Sequence, residues 1–226
     1  MTRILICIFL LVMVGCKSTG VTKGEAYPNL YLEKPQSILV VPVINRTTAA
    51  DAPDLYATTI VQPLAEAGYY VFSIPFINEY FGQEGIVDGQ QLEGVAPQRF
   101  NTLFGADSVL FVTIDEWDTN YYIAGGNVTV AVKFELVSAH SGEILWQFQD
   151  AIVKNTTGDS DNLLIGMIAT AINTAVVDYV PIARQVNRQV LVNLPVGKYH
   201  ELHNKDQQQI VNKVRTGNSY KIRIQP

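Results

Sequence analysis

Cysteine is nearly absent from this 226-residue chain, which holds only Cys7 and Cys16. Everything after Cys16 lacks a thiol for a disulfide, a nucleophile or a thiolate metal site. A membrane-spanning run is missing at the start as well: Ile4 to Val14 gives 11 residues, where a bilayer needs roughly 20. Charged residues make up 16%, and positive charge is scarcer still, with 7 Lys or Arg against 19 Asp or Glu across residues 16–183. So acidic a balance argues against general nucleic-acid binding. No internal repeat or low-complexity block occurs.

What is there begins with Arg3, the apolar run, and Val12-Met13-Val14-Gly15-Cys16. A basic residue, a short apolar segment and a small residue form a secretion signal. The closing Val-Gly-Cys resembles a bacterial lipobox, with Met13 where Leu is commonest. That resemblance implies that residues 1–15 are removed, that the Cys16 thiol receives diacylglycerol, and that its freed amino group takes a further acyl chain such as palmitate. Lys17, with no Asp in its place, resembles a signal for sorting to the outer membrane, facing the periplasm. The remaining 211 residues, in a chain that is 48% hydrophobic and 10% aromatic, suit one domain with a core independent of disulfides.

Residues 16–34, broken by Gly20, Gly24 and Pro28, read as a lipid-anchored tether. The apolar run Ser37 to Ile44 predicts a strand covered on both faces, with its last paired stretch near Pro42. Asp51, Pro53 and Asp54 suit a helix start. Leu55, Thr59, Leu64 and Ala67 mark its apolar face, Pro63 is expected to kink or divide it, and Gly68 ends it. A second strand over Tyr69 to Ile74, two short helices before Gly89 and over Pro97 to Phe104, and a meander from Ser108 to Lys154 follow. A last helix is expected over Asp161 to Tyr179. Gly166, Thr170, Asn173 and Thr174 on one side of it are small and uncharged, a candidate interface for a homodimer or another partner. The whole predicts an α+β domain over residues 35–183, a mixed β-sheet in the order β-α-β-α-β-β-β-α packed with helices. Residues 184–226 read as a basic C-terminal extension, with 8 Lys or Arg and 2 Asp or Glu. Val190 to Leu194 there suggests a strand and Asp206 to Arg215 a short helix. Such a tail either docks on the acidic body or meets an anionic surface.

Four stretches then stand out together: Ser37 to Asn45, Pro63 to Phe72, Phe104 to Leu110 and Ser141 to Trp146. Over roughly residues 34–200 the chain resembles a bacterial lipoprotein family of undefined function typified by a genome-derived neisserial antigen. The resemblance implies a fold similar to the amino-terminal domain of TolB and the periplasmic domains of CsgG and LpoB. Members of that family are encoded beside a CsgG-like lipoprotein, which implies a shared complex at the outer membrane.

Catalytic chemistry has little to stand on. His200 and His203, with Asp206 nearby, lack the spacing of a third metal ligand. Asp115, Glu116 and Asp118 cluster at a strand end, where consecutive residues face opposite ways. The glycines at 82, 85 and 89 have neither a phosphate-binding lysine nor the strand-to-helix layout. Trp117, Tyr121 and Tyr122 form an aromatic patch read chiefly as packing. The expectation is therefore a protein without catalytic, cofactor or metal residues: a lipid-anchored component of an envelope complex, concerned with secretion or envelope maintenance. The alternatives are an LpoB-like regulator of a cell-wall synthase and a ligand-binding periplasmic lipoprotein.

Overall fold

The computed structural model describes residues 20–122, 125–155 and 180–211. Its centre is β1 (Ser37–Val40), four consecutive buried residues. Pro42 has no N–H to give to a ladder, so the expected strand divides and pairs again at β2 (Ile44–Asn45). Both pieces run parallel to β4 (Ser108–Tyr122), with Ile38 opposite Ser108 and Ile44 opposite Thr113. The edge strand β3 (Tyr70–Val71) lies parallel on the other side of β1. From β4 the chain continues as an antiparallel meander through β5 (Gly125–Ser138) and β6 (Ile144–Asn155). The order is β3-β1-β4-β5-β6, with β2 also beside β4. This is the mixed α+β sheet that the alternation of apolar runs predicts.

Helices cover both faces where the strands are apolar on both sides. They are α1 (Lys23–Ala26), α2 (Pro28–Glu33), α3 (Ala52–Glu66), α4 (Ile74–Gln83), α5 (Gln98–Phe104) and α6 (Val180–Leu191), with a 3-10 turn over Gly89–Leu92. Tyr56, Ile60 and Leu64 of α3 and Ala183, Val186 and Val190 of α6 pack on Ile38, Val40, Leu110, Val112, Phe134 and Leu136. A smaller core on the opposite face joins Leu39, Val41 and Val109 to Ile77 and Phe81 of α4 and Phe100 of α5. Strand residues thus alternate between two cores, as a period of two requires. The register shifts between Ile114 and Glu116. The extra residue moves the side-chain phase by one, so Trp117 joins the same core as Leu110, Val112 and Ile114. On its other face the hairpin is wetter, where Lys133 Nζ meets Glu135 Oε2 at 3.1 Å.

Several local expectations are corrected. Pro63 lies inside α3 without dividing it, because Ile60 and Leu64 on either side are buried in the core. The second strand stops at Val71, and Ile74 opens α4 with Pro75 in its first turn, where a missing N–H costs nothing. Residues 23–33 carry α1 and α2 where a tether was expected, and Leu30 enters the main core. Pro181 falls in the described start of α6 rather than after the last helix. Val190, expected in a strand, is helical, and Val186, Val190, Leu191 and Leu194 enter the main core. Residues 206–211 form turns and a single bridge instead of a helix. The packed core therefore extends past both expected boundaries, at 34/35 and 183/184.

Candidate functional site

Thr22 starts α1 with a capping box: its hydroxyl accepts from Glu25 N–H at 3.3 Å, and Glu25 Oε2 accepts from Thr22 N–H at 2.9 Å. The Thr22 N–H first, and then the Thr22 hydroxyl donating to the same oxygen at 2.8 Å, hold the Glu25 carboxyl below its ordinary pKa. The turn aims Lys23 inward, where it is 4% exposed. Its Nζ donates to Leu194 O at 3.1 Å and lies 3.5 Å from Asp206 Oδ2, which is fully buried. Burial pushes the Lys23 pKa down, and Asp206 restores part of the loss. Asp206 also accepts from Tyr31 OH at 2.9 Å and from Val196 N–H at 3.0 Å. Backbone bonds close the clasp: Lys23 N–H to Gln209 O at 2.8 Å, Gly24 N–H to Gln207 O at 2.9 Å, and Val211 N–H to Val21 O at 2.9 Å. The beginning and the end of the described fold are thereby tied together.

A different feature opens at the carboxyl end of β1. The connection to β3 runs through α3 on one face of the sheet, and the connection onward to β4 runs through α4 and α5 on the other. Chains that leave the neighbouring parallel strands β1 and β3 toward opposite faces leave a crevice between them, the usual ligand position in such sheets. Here it is a cleft of about 230 Å³. Val40 to Val43 form its floor, Pro53, Asp54 and Ala57 of α3 one wall, and Ile74, Asn78 and Gly82 of α4 the other. The α4 residues are four apart and so share a helix face. Ile86 and Val87 form the lip, pinned because Gly89 sits against β1's end: a Cβ there would lie 2.0 Å from Pro42 O. Asn78 Oδ1 is buried and has no hydrogen-bond partner, which costs on the order of 1–3 kcal/mol. Asp54 is the single ionisable residue of the lining, so no acid–base pair converges there.

A third polar cluster lies at the opposite end of β1. Asp107 Oδ2 accepts from Gln36 N–H at 3.0 Å, Ser37 N–H at 3.1 Å and Ser37 Oγ at 3.0 Å, while His140 Nε2 lies 3.4 Å from Oδ1. Burial opposes the Asp107 charge, but these donors outweigh it and hold the carboxyl below its ordinary pKa. The carboxylate stands between serine and histidine, so the imidazole cannot take the hydroxyl proton as a nucleophile relay demands. Beside it Glu33 accepts from Ser138 Oγ and from Ser141 Oγ, the latter at 2.6 Å. The cluster fixes α2 and two turns to the sheet.

Of the residues singled out in the sequence, Cys16, Gly166, Thr170, Asn173 and Thr174 lie outside the described residues. His200 Nδ1 accepts from Leu202 N–H at 3.1 Å, and His203 Nδ1 faces Val196 O at 3.3 Å. Among the described residues no three His, Cys, Asp or Glu gather as metal ligands. Asp115 pairs with Arg46 at 3.8 Å, which also reaches Glu93 at 3.3 Å, and Trp117 is buried in the main core. Sequence reasoning missed the cleft and the clasp. An asparagine between Ile74 and Gly82 at helical spacing, and Lys23 just inside a capping box, were the available signals.

With this geometry in hand, residues 26–220 match the family model described as GNA1162-like lipoprotein. A relative from Neisseria meningitidis serogroup B, which carries the lipoprotein name NMB1124/NMB1162, is 31% identical over 173 residues, 74% of this chain and 78% of the relative. The crystal structure of lipoprotein GNA1162 from Neisseria meningitidis is similar at a TM-score of 0.52 and 33% identity, covering 62% of this chain and 97% of that one. The family match reaches further at both ends than the stretch at 34–200 that carries the resemblance. The chain belongs to the GNA1162-like lipoprotein family.

Proposed function

We propose that this family member is a non-catalytic, lipid-anchored component of a periplasm-facing complex at the outer membrane, assembled with a CsgG-like lipoprotein in secretion or envelope maintenance. In this reading residues 1–15 are the signal peptide and Cys16 carries the lipid. The observation that carries it is the clasp. Val21 is already paired with Val211, and only four residues separate Val21 from Cys16. Fully extended, that stretch reaches about 17 Å. A folded unit held so near its lipid suits a membrane-bound complex, and it speaks against the LpoB-like alternative, which needs a long reach across the periplasm.

Two measurements test the proposal. Labelling with radioactive palmitate should mark the wild type and not Cys16→Ser, and the label should fractionate with outer membranes; label in Cys16→Ser removes the anchor. Cross-linking in intact membranes should join the protein to a pore-forming lipoprotein. Capture of a cell-wall synthase instead would favour the regulator.

A further inference from the structure

Exposed apolar side chains are ordinary one at a time, but in this fold they gather at one end. Six of the eleven large hydrophobics exposed among the described residues, Val21, Leu32, Val192, Tyr199, Leu202 and Ile210, lie on the two segments that make the clasp. Leu32 is 78% exposed and Tyr199 66%. Leu30 of α2 fills the core, so Leu32, about 200° further round the helix, points away from it. The clasp sits at the amino ends of the parallel strands β1 and β3. There Lys198 Nζ donates to Gln36 Oε1 at 2.7 Å, and the N–H groups of Gly197 and Tyr199 donate to Ala67 O at 2.8 Å and Gly68 O at 3.0 Å. The cleft opens at the opposite end.

Charge divides along the same axis. Two lengths of chain leave the clasp, residues 16–20 toward Cys16 and residues 212–226 after Val211, and they leave side by side because Val211 is paired with Val21. They carry Lys17 on one and Lys213, Arg215, Lys221 and Arg223 on the other, with no Asp or Glu on either. Exposed Lys34, Lys198 and Lys205 stand on the clasp segments against exposed Glu25 and Glu201. Residues 35–122, by contrast, hold 11 acidic side chains against Arg46 and Arg99. An anionic surface therefore repels the body and attracts this end. Apolar side chains beside basic ones, tyrosine included, suit a bilayer interface. With the acyl chains of Cys16 within about 17 Å of Val21, the bilayer is the surface this end meets first.

We propose that the clasp end lies against the lipid headgroups of the membrane. Leu32 and Tyr199 sit at the interface, the basic tail meets anionic phosphates, and the cleft faces away from the bilayer. The proposal rests on the reading of Cys16 as the lipid anchor, and it adds which end of the domain the membrane holds.

The test uses the acylated mature chain in vesicles of phosphatidylethanolamine and phosphatidylglycerol, its acylation checked by mass spectrometry. With Cys16 consumed, Leu32→Cys, Tyr199→Cys and Val87→Cys each offer one thiol for a fluorescent dye; Val87 lies on the cleft lip and is 85% exposed. Spin-labelled lipids should quench the dye at 32 and 199 and leave it bright at 87. Equal quenching at all three positions, or none at 32 and 199, overturns the proposal. A second arm uses the full mature chain carrying Cys16→Ser, which meets vesicles through its own surface alone. Its binding should require phosphatidylglycerol and fade at about 0.5 M salt. Ending the chain at Val211 removes four positive charges and should weaken binding about 100-fold. Leu32→Glu with Tyr199→Glu should weaken it about ten-fold with the urea midpoint unchanged. If that double variant folds poorly, the truncation and the quenching pattern decide. No binding to phosphatidylglycerol, or binding unchanged by the truncation, assigns the tail to the acidic body and overturns the proposal. A wild type without acyl chains removes the anchor instead, and the second arm still decides whether this end meets lipid.

Discussion

The clasp and the cleft are built from similar means, a helix start set against a neighbouring segment, yet they treat polar atoms in opposite ways. In the clasp, Lys23 and Asp206 are both buried and face each other, with Leu194 O accepting from Lys23 and Tyr31 and Val196 donating to Asp206. Beside the cleft's apolar walls a buried oxygen, Asn78 Oδ1, is left unpaired. A satisfied buried pair holds structure, and removing one partner strands the other. An unsatisfied buried acceptor holds nothing and weakens the fold. The difference separates a part that ties the two ends of the described fold together from a part that carries an unpaid polar cost.

The comparison can be broken most forcefully at Asp206. Asp206→Ala leaves the Lys23 ammonium buried without its counter-charge and should destabilise by about 3–5 kcal/mol in urea unfolding. Hydrogen exchange should then open residues 21–33 before the sheet; uniform opening would deny the clasp its separate identity. A smaller effect of opposite sign is expected across the cleft. Asn78→Leu removes the stranded acceptor and should stabilise by about 1 kcal/mol, while a loss of stability would mean that Asn78 serves the fold. Gly82→Ala, with open space before its Cβ, should gain somewhat less than about 1 kcal/mol from helix propensity alone. Smallest is the acid response of Asp107, whose carboxyl is partly exposed. Its folded pKa lies below the unfolded one, so its contribution is present above the ordinary carboxylate range and fades as pH falls through the folded value. Asp107→Asn should flatten the fall in urea midpoint between about pH 5 and about pH 3; an unchanged slope would assign the acid response to other carboxylates.

Much of the fold was legible because its signals are local. The β-branched run at Ile38 to Val41, the meander from Val109 to Phe148 and the helix over Ala52–Glu66 follow from periodicity and turn residues. Proline misled where it has two meanings. Pro75 and Pro181 were read as stops, yet Pro75 stands in the first turn of a helix and Pro181 lies within the described part of another, where the apolar spacing of Ala183, Val186 and Val190 was the deciding signal. The segment at 23–33 looked like a tether because its partner, residues 194–211, lies more than 160 positions away. The Thr22–Glu25 capping box announces a helix start at Lys23, but not that Lys23 will be buried.

By itself the sequence determined the family, through stretches such as Pro63 to Phe72, and the mixed sheet, because strand and helix periods are written residue by residue. It also set the acidic balance of residues 16–183. Only the tertiary structure decided that residues 21–33 belong to the folded unit, and that β1, α3 and α4 leave a cleft beside a buried, unpaired acceptor. Both depend on which distant segments meet, and burial, charge pairing and an unfilled hydrogen bond exist only once they have met.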